Sequence, residues 1–175
     1  MHGGTRPAAR LTVLTGPSGA GQRGVVELVR ARSPLLWVSV PVTTRPRREH
    51  EADGVHYRFV EPVEFARLVD ADGLLEWSEL GGHRYGTCRE TVGERLRAGR
   101  PVLVCVDLAG ARRVRRAVPE AQLVFLAPPG VTPSAAQARD VDVTLTNDQL
   151  GRTAEELVGL LGSSFLTPAR PPDSG

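Results

Sequence analysis

At 175 residues, 41% hydrophobic and 24% charged, the chain is sized and composed for one globular domain, which excludes a disordered polymer. A net charge of +2 is too small to imply a nucleic-acid partner by itself. Cys88 and Cys105 are too few for a disulfide framework and lack metal-ligand spacing. MHGGTRPAAR has no apolar signal region and no apolar run reaches transmembrane length, so the expectation is a soluble, cytoplasmic protein with no membrane partner.

Residues 1–9 read as a flexible lead-in. LTVLT at 11–15 is a short β-rich run that ends on a glycine turn, and 24–32 place Val25, Val26, Leu28 and Val29 at helical spacing. Between them lies GPSGAGQR, residues 16–23. Strand, glycine loop and helix in that order are the context of a phosphate-binding loop, G-x-x-x-x-G-K-[ST], whose backbone N–H groups close around phosphates. Gly16, Ser18, Gly19 and Gly21 fit it, but Gln22 holds the lysine position and Arg23 the Ser/Thr position. The plain alternative is a tight turn.

Residues 35–40 read as a second buried strand, and 41–54, rich in Pro, Arg and Glu, as a loop. Strands are expected at 56–60 and 74–80, with a helix over 62–70 that starts on a permitted proline. A helix follows over 91–98, and PVLVCVD at 101–107 has the continuous apolar character of a central parallel strand. The spacing predicts a helix over 109–118, strands at 122–127 and 141–146, and a closing helix over 152–161. The tail, 163–175, is proline-rich and expected to be disordered. The whole implies an α/β fold with a mostly parallel sheet over 10–162, and a small β-rich insert at about 41–90 over the strand ends, where such sheets bind ligands.

The polar motifs carry more. Thr43-Thr44-Arg45-Pro46-Arg47-Arg48 is followed by Asp53-Gly54-Val55-His56-Tyr57, then Leu75-Glu76-Trp77, Tyr85-Gly86-Thr87, Asp107 to Gly110, Pro128-Pro129 and Asn147-Asp148. In order and spacing this series resembles the guanylate kinase family, P-loop enzymes that phosphorylate GMP from ATP, over residues 11–161. The resemblance implies that Arg45, Arg48, Tyr57 and Tyr85 hold the GMP phosphate, and that Glu76, with Thr87 and Asp107 nearby, reads guanine. The chemistry suits those roles. Forked guanidinium groups match a phosphate dianion, and a carboxylate accepts both N1–H and the exocyclic amine of guanine, an edge that adenine lacks.

Four departures follow from the same resemblance. Pro41 stands where the family carries a phosphate-binding serine. Gln22 and Arg23 leave the loop without its lysine and its metal-binding hydroxyl. Cys105 replaces an acidic residue two before Asp107, and a thiol is a poor ligand for hard Mg²⁺. Finally, residues 130–146 contain a single basic residue, Arg139, where the family has an arginine-bearing helical lid, so the lid is expected to be deleted. The expectation is a retained pocket for GMP or another guanine nucleotide with catalysis impaired, leaving a binding or regulatory module. The alternatives are an active ATP:GMP phosphotransferase in which Arg23 replaces the lysine, and a module that takes phosphorylated protein segments in the former GMP pocket. Mg²⁺ and ATP are cofactors only if the family activity survives. Arg112, Arg113, Arg115 and Arg116 form a second basic cluster on a predicted helix, read as a solvated face. It has no aromatic interleaving of the kind that stacks nucleic-acid bases.

Overall fold

The computed structural model describes residues 10–163; the lead-in expected at 1–9 and the proline-rich tail expected at 163–175 lie outside the described residues, except Ser163, which ends the last helix. Leu11–Thr15 (β1), buried at all five positions, is the middle strand of a five-stranded parallel sheet. Val102–Cys105 (β7) pairs with it on one side and Gln122–Ala127 (β8) on the other, and the outer strands are Trp37–Val38 (β2) beside β7 and Val143–Thr146 (β9) beside β8. Hence the apolar run at 101–107 is buried over 101–104 and forms an inner strand, but the centre is β1. β2 is also shorter than the run at 35–40 implied, because Leu35 is 68% exposed and belongs to the turn before it.

Helices cover both faces. On one, Gln22–Arg32 (α1) and Leu150–Ser163 (α6) bury Val25, Val29, Ala154 and Leu157 against Leu14, Leu103 and Leu126. On the other, Arg89–Arg97 (α3) and Leu108–Ala117 (α4) bury Val92, Ala111 and Val114 against Val13, Val104 and Leu123. Alternate residues of each strand feed opposite cores, as the pleat requires.

The insert is its own layer. Val42–Thr43 (β3), Arg58–Phe59 (β4), Leu74–Leu80 (β5) and His83–Cys88 (β6) form a sheet ordered β4-β3-β6-β5, backed by Pro62–Asp70 (α2). Phe65 of α2 is fully buried against Val42, Leu74 and Cys88. β5 and β6 are joined by Gly81 and Gly82 alone, both at positive φ (60° and 76°), the two-residue turn that matches strand twist. Two strands thus stand where the sequence led us to expect none: β3, in the stretch read as loop, and β6. Both are set by pairing rather than by local pattern, since β3 is two residues wedged between β4 and β6.

The β8–β9 connection holds one six-residue helix, Ala135–Asp140 (α5), started by a capping box in which Ser134 and Gln137 satisfy each other's backbone N–H groups. None of its residues is buried. No helix among the described residues is long and apolar enough to cross a membrane.

Candidate functional site

The ends of β1, β7 and β8 open on one edge of the parallel sheet, and the insert stands beside it. Glu76, on β5 at an irregularity in its pairing with β6, is 7% exposed. The Thr87 hydroxyl donates to Glu76 Oε1 at 2.7 Å. A Cβ on Gly110 would lie 3.1 Å from both Glu76 Oε2 and Asp107 Oδ1, so the two carboxylates converge on that backbone. Asp107 is the N-cap of α4, its side chain accepting the Gly110 N–H at 2.7 Å. Burial raises the Glu76 pKa above its ordinary value, the Thr87 bond opposes the shift, and the Asp107 charge adds to it. The result is a carboxyl group held in a dry place with one oxygen uncommitted to any hydrogen bond among the described residues.

The second cluster is cationic and aromatic. Arg45 follows β3, and its guanidinium lies 5.2 Å from the Tyr57 ring centroid and 5.8 Å from that of Phe59. Tyr57 meets Tyr85 edge-on at 6.0 Å. Thr43 pairs with Tyr85, and Glu76 pairs with Thr87. Tyr85 and Thr87 are therefore two apart on one strand, on the same face and about 7 Å from each other along it. Strand β6 ties the two clusters into one groove. Arg48 is exposed on the loop; its side chain makes no hydrogen bond among the described residues, and its charge acts on Glu51.

Sequence reasoning missed Glu51. Its buried carboxylate takes Arg45 in a fork, Nη2–Oε1 2.7 Å and Nη1–Oε2 3.0 Å, and accepts the Arg48 backbone N–H at 2.9 Å. Arg47 also donates to its carbonyl oxygen at 2.7 Å. The Arg45 bond, foremost, lowers the Glu51 pKa to about 2 and raises that of Arg45 above its ordinary value. The available signal was a carboxylate three residues beyond a run of arginines, the natural organiser for so much like charge. Pro41, at the position of the expected serine, contributes only its carbonyl, which accepts from Arg58 N at 2.9 Å.

The glycine loop has the predicted place between β1 and α1. Gly19 and Gly21 sit at φ 83° and 77°, and Gly21 is the N-cap of α1. Gln22 does not reach outward: its Nε2 donates to Leu14 O at 3.0 Å, back against the end of β1. Arg23 is exposed and has no partner among the described residues. Asn147, after β9, straps the loop by donating from Nδ2 to Ala20 O at 2.8 Å. Burial pushes the Cys105 thiol up to about 12, so it stays neutral at physiological pH. Among the described residues no three His, Cys, Asp or Glu side chains group to hold a metal ion. At the two positions that would face Mg²⁺, a guanidinium stands for the hydroxyl and a neutral thiol for the carboxylate, neither of them a ligand for that ion.

The basic helix α4 is not simply a solvated face. Arg112 Nε donates to Asp140 at 2.7 Å, Arg113 to the Trp77 carbonyl at 2.8 Å, and Arg115 pairs with Asp142. Each bond reaches a different element.

Residues 8–160 match the family model described as "Guanylate kinase". The chain is 46% identical over 179 residues to a guanylate kinase of Thermobifida fusca, covering 88% of this chain and 91% of the relative. That alignment takes in more positions than the share of this chain it occupies, so the relative carries residues with no counterpart here. A guanylate kinase of Streptomyces coelicolor is 56% identical over 120 residues, covering 69% of this chain and 61% of the relative. The crystal structure of a guanylate kinase from Anaplasma phagocytophilum superposes with a TM-score of 0.74 at 24% identity, over 94% of this chain and 90% of that one.

Proposed function

This chain belongs to the guanylate kinase family, and from that premise we propose that it binds GMP in the groove between Glu76 and Arg45 while transferring phosphate poorly or not at all. Glu76 accepts the guanine N1–H and exocyclic amine, with Thr87 and Asp107 bordering the base. Arg45, Arg48, Tyr57 and Tyr85 take the phosphate, two guanidinium groups and two phenols suiting a dianion. Glu51 is the positioning residue that holds the Arg45 fork at the phenolic end of the groove.

The observation that carries the impairment is Gln22, whose neutral amide is spent on the Leu14 carbonyl. Phosphoryl transfer depends on positioning and on cations that neutralise the moving charge, and a transition-state arginine alone is worth about 10³–10⁵ in rate. The loop lacks its lysine. Arg139, the sole basic residue of 130–146, lies beside Arg112, Arg115 and Arg116 rather than beside the loop. The connection that carries it is a six-residue helix with no buried side chain, which leaves little to fold over a triphosphate.

Melting curves with GMP, AMP and ATP added separately, together with a coupled assay for GDP, test both halves. The expectation is stabilisation by GMP, none by AMP, little by ATP, and background GDP formation. Equal stabilisation by AMP and GMP would remove the guanine reading. The kinship with proteins named guanylate kinase favours a second reading, retained ATP:GMP transfer with Arg23 in the role of the lysine. GDP formation well above background that Arg23→Ala abolishes establishes it in place of the first. A phosphorylated peptide displaced by GMP and lost in Arg45→Ala instead assigns the groove to protein recognition.

A further inference from the structure

Arg112, Arg115 and Arg116 are left unused by the nucleotide groove, and the geometry points to a second anion site there, shaped for a small, multiply charged phosphate compound. A cleft of about 250 Å³ opens between α4, the start of β8 and the end of α5, lined by Arg112, Arg115, Arg116, Leu123, Arg139 and Asp140. Four guanidinium groups from two helices meet in one concavity. Asp140 and Asp142 account for two of them: Arg112 holds Asp140 at 2.7 Å and 2.6 Å, and Arg115 pairs with Asp142, which also accepts the Leu123 N–H at 2.8 Å. Those carboxylates fix the inner pair rather than cancel the site.

Arg116 and Arg139 are exposed and have no partner among the described residues, which leaves two positive charges in excess. Arg115 Nε has no acceptor among the described residues, so the inner pair is one hydrogen bond short. Complementing the helix dipole accounts for Arg115 and Arg116 in the last turn of α4. Arg139, in the last turn of α5, answers to the same effect, which does not account for two helices bringing four guanidinium groups to one cleft, nor for the unpaired Nε.

The site is separate from the groove. Asp107 begins α4 and Arg116 lies near its end, about 14 Å further along the axis. The expected occupant is compact rather than a nucleic acid: the two unpaired cations match a few phosphates, no aromatic side chain lines the cleft for base stacking, and nucleic-acid binders commonly make several more phosphate contacts.

Calorimetric titration of the whole protein with inorganic tripolyphosphate at fixed ionic strength tests this. The expected result is saturable 1:1 binding, at least tenfold weaker in Arg116→Ala/Arg139→Ala and unchanged in Arg23→Ala and Arg45→Ala. Both cleft side chains are exposed, so the double variant should melt like the parent, and GMP stabilisation, where the parent shows it, should be unaltered. Failure to saturate, indifference to the double variant, loss in Arg23→Ala or in Arg45→Ala, or tighter binding of a single-stranded oligonucleotide than of tripolyphosphate each overturns the proposal.

Discussion

Replacing Glu76 by glutamine separates what this side chain does for a ligand from what it costs the fold. The carboxylate is 7% exposed, and its pKa is raised by burial and by the neighbouring Asp107. A carboxyl group with a raised folded-state pKa holds its proton to higher pH than in the unfolded chain, so ionising it lowers stability as the pH climbs above its ordinary 4.5. Glu76→Gln removes that penalty, and its amide oxygen still accepts from Thr87. The variant should therefore melt no lower than the parent at pH 7, and the two should converge below pH 4.5, where both side chains are neutral. For GMP the direction reverses. One accepting oxygen becomes a donor facing the donors of guanine, which removes a charge-assisted bond of about 1.5–3 kcal/mol, or about ten- to a hundredfold in affinity. Differential scanning calorimetry at pH 4 and pH 7, with calorimetric GMP titration at pH 7, reads both effects. Loss of melting temperature at pH 7 would refute the desolvation argument, and undiminished GMP affinity would refute the guanine assignment.

Three further substitutions probe the frame around that site. Glu51→Gln should lower the melting temperature at neutral pH; because the Glu51 pKa is lowered to about 2, its contribution is present above the ordinary 4.5 and lost as the pH falls toward 2, so melts taken across that range should show the gap to the parent closing. Gly16→Ala should destabilise by about 1–3 kcal/mol in urea titration, since its Cβ would come within 2.3 Å of the Leu126 carbonyl oxygen and neither backbone yields freely. Phe65→Ala empties the centre of the insert core and should cost about 3–5 kcal/mol, measured by the same titration; a loss under 1 kcal/mol would mean that the insert is not packed as described.

What could be read from the sequence divides by range of interaction. β1, β8, α2 and the alternation of the parallel sheet are written in local apolar periodicity, and the helix bounds fall within a few residues of expectation. β3 is two residues of ordinary polarity whose strand character comes from neighbours at 58–59 and 85–86, so no local pattern could announce it. β6 did have a signal: Gly81-Gly82 directly after a strand marks a tight hairpin. The pairing of Thr87 with Glu76 was legible only through the family resemblance, because residues eleven apart become neighbours only when β5 folds back on β6. Glu51 shows the reverse weakness. Motif matching draws attention to arginines that meet ligands, and it passes over the carboxylate that aligns them. The basic helix shows a third kind, since the aspartates that fix Arg112 and Arg115 lie 28 and 27 residues away, on a connection whose path the sequence does not give.

The glycine loop carries two messages that come apart in this chain. Gly16 is required because the Leu126 carbonyl stands where a side chain would begin, and Gly21 because of its φ of 77°, with the Asn147 amide also 2.5 Å from where a Cβ would lie. Both demands are internal: they close β1 onto β8 and dock the β9 end onto the loop, with no phosphate involved. Gly19, at φ 83° with open space around it, answers only to backbone conformation. Glycine spacing in such a loop is thus evidence for backbone conformation and for the packing of a sheet edge against its first helix. Evidence for a triphosphate rests on the two residues that follow, where the side chain meets the ligand rather than the fold. There, Gln22 bonds to Leu14 and Arg23 faces solvent. The proposed acceptor groove has a different economy: Glu76 is buried against its own electrostatic interest and Arg45 is clamped by a carboxylate, arrangements that a bound GMP would use.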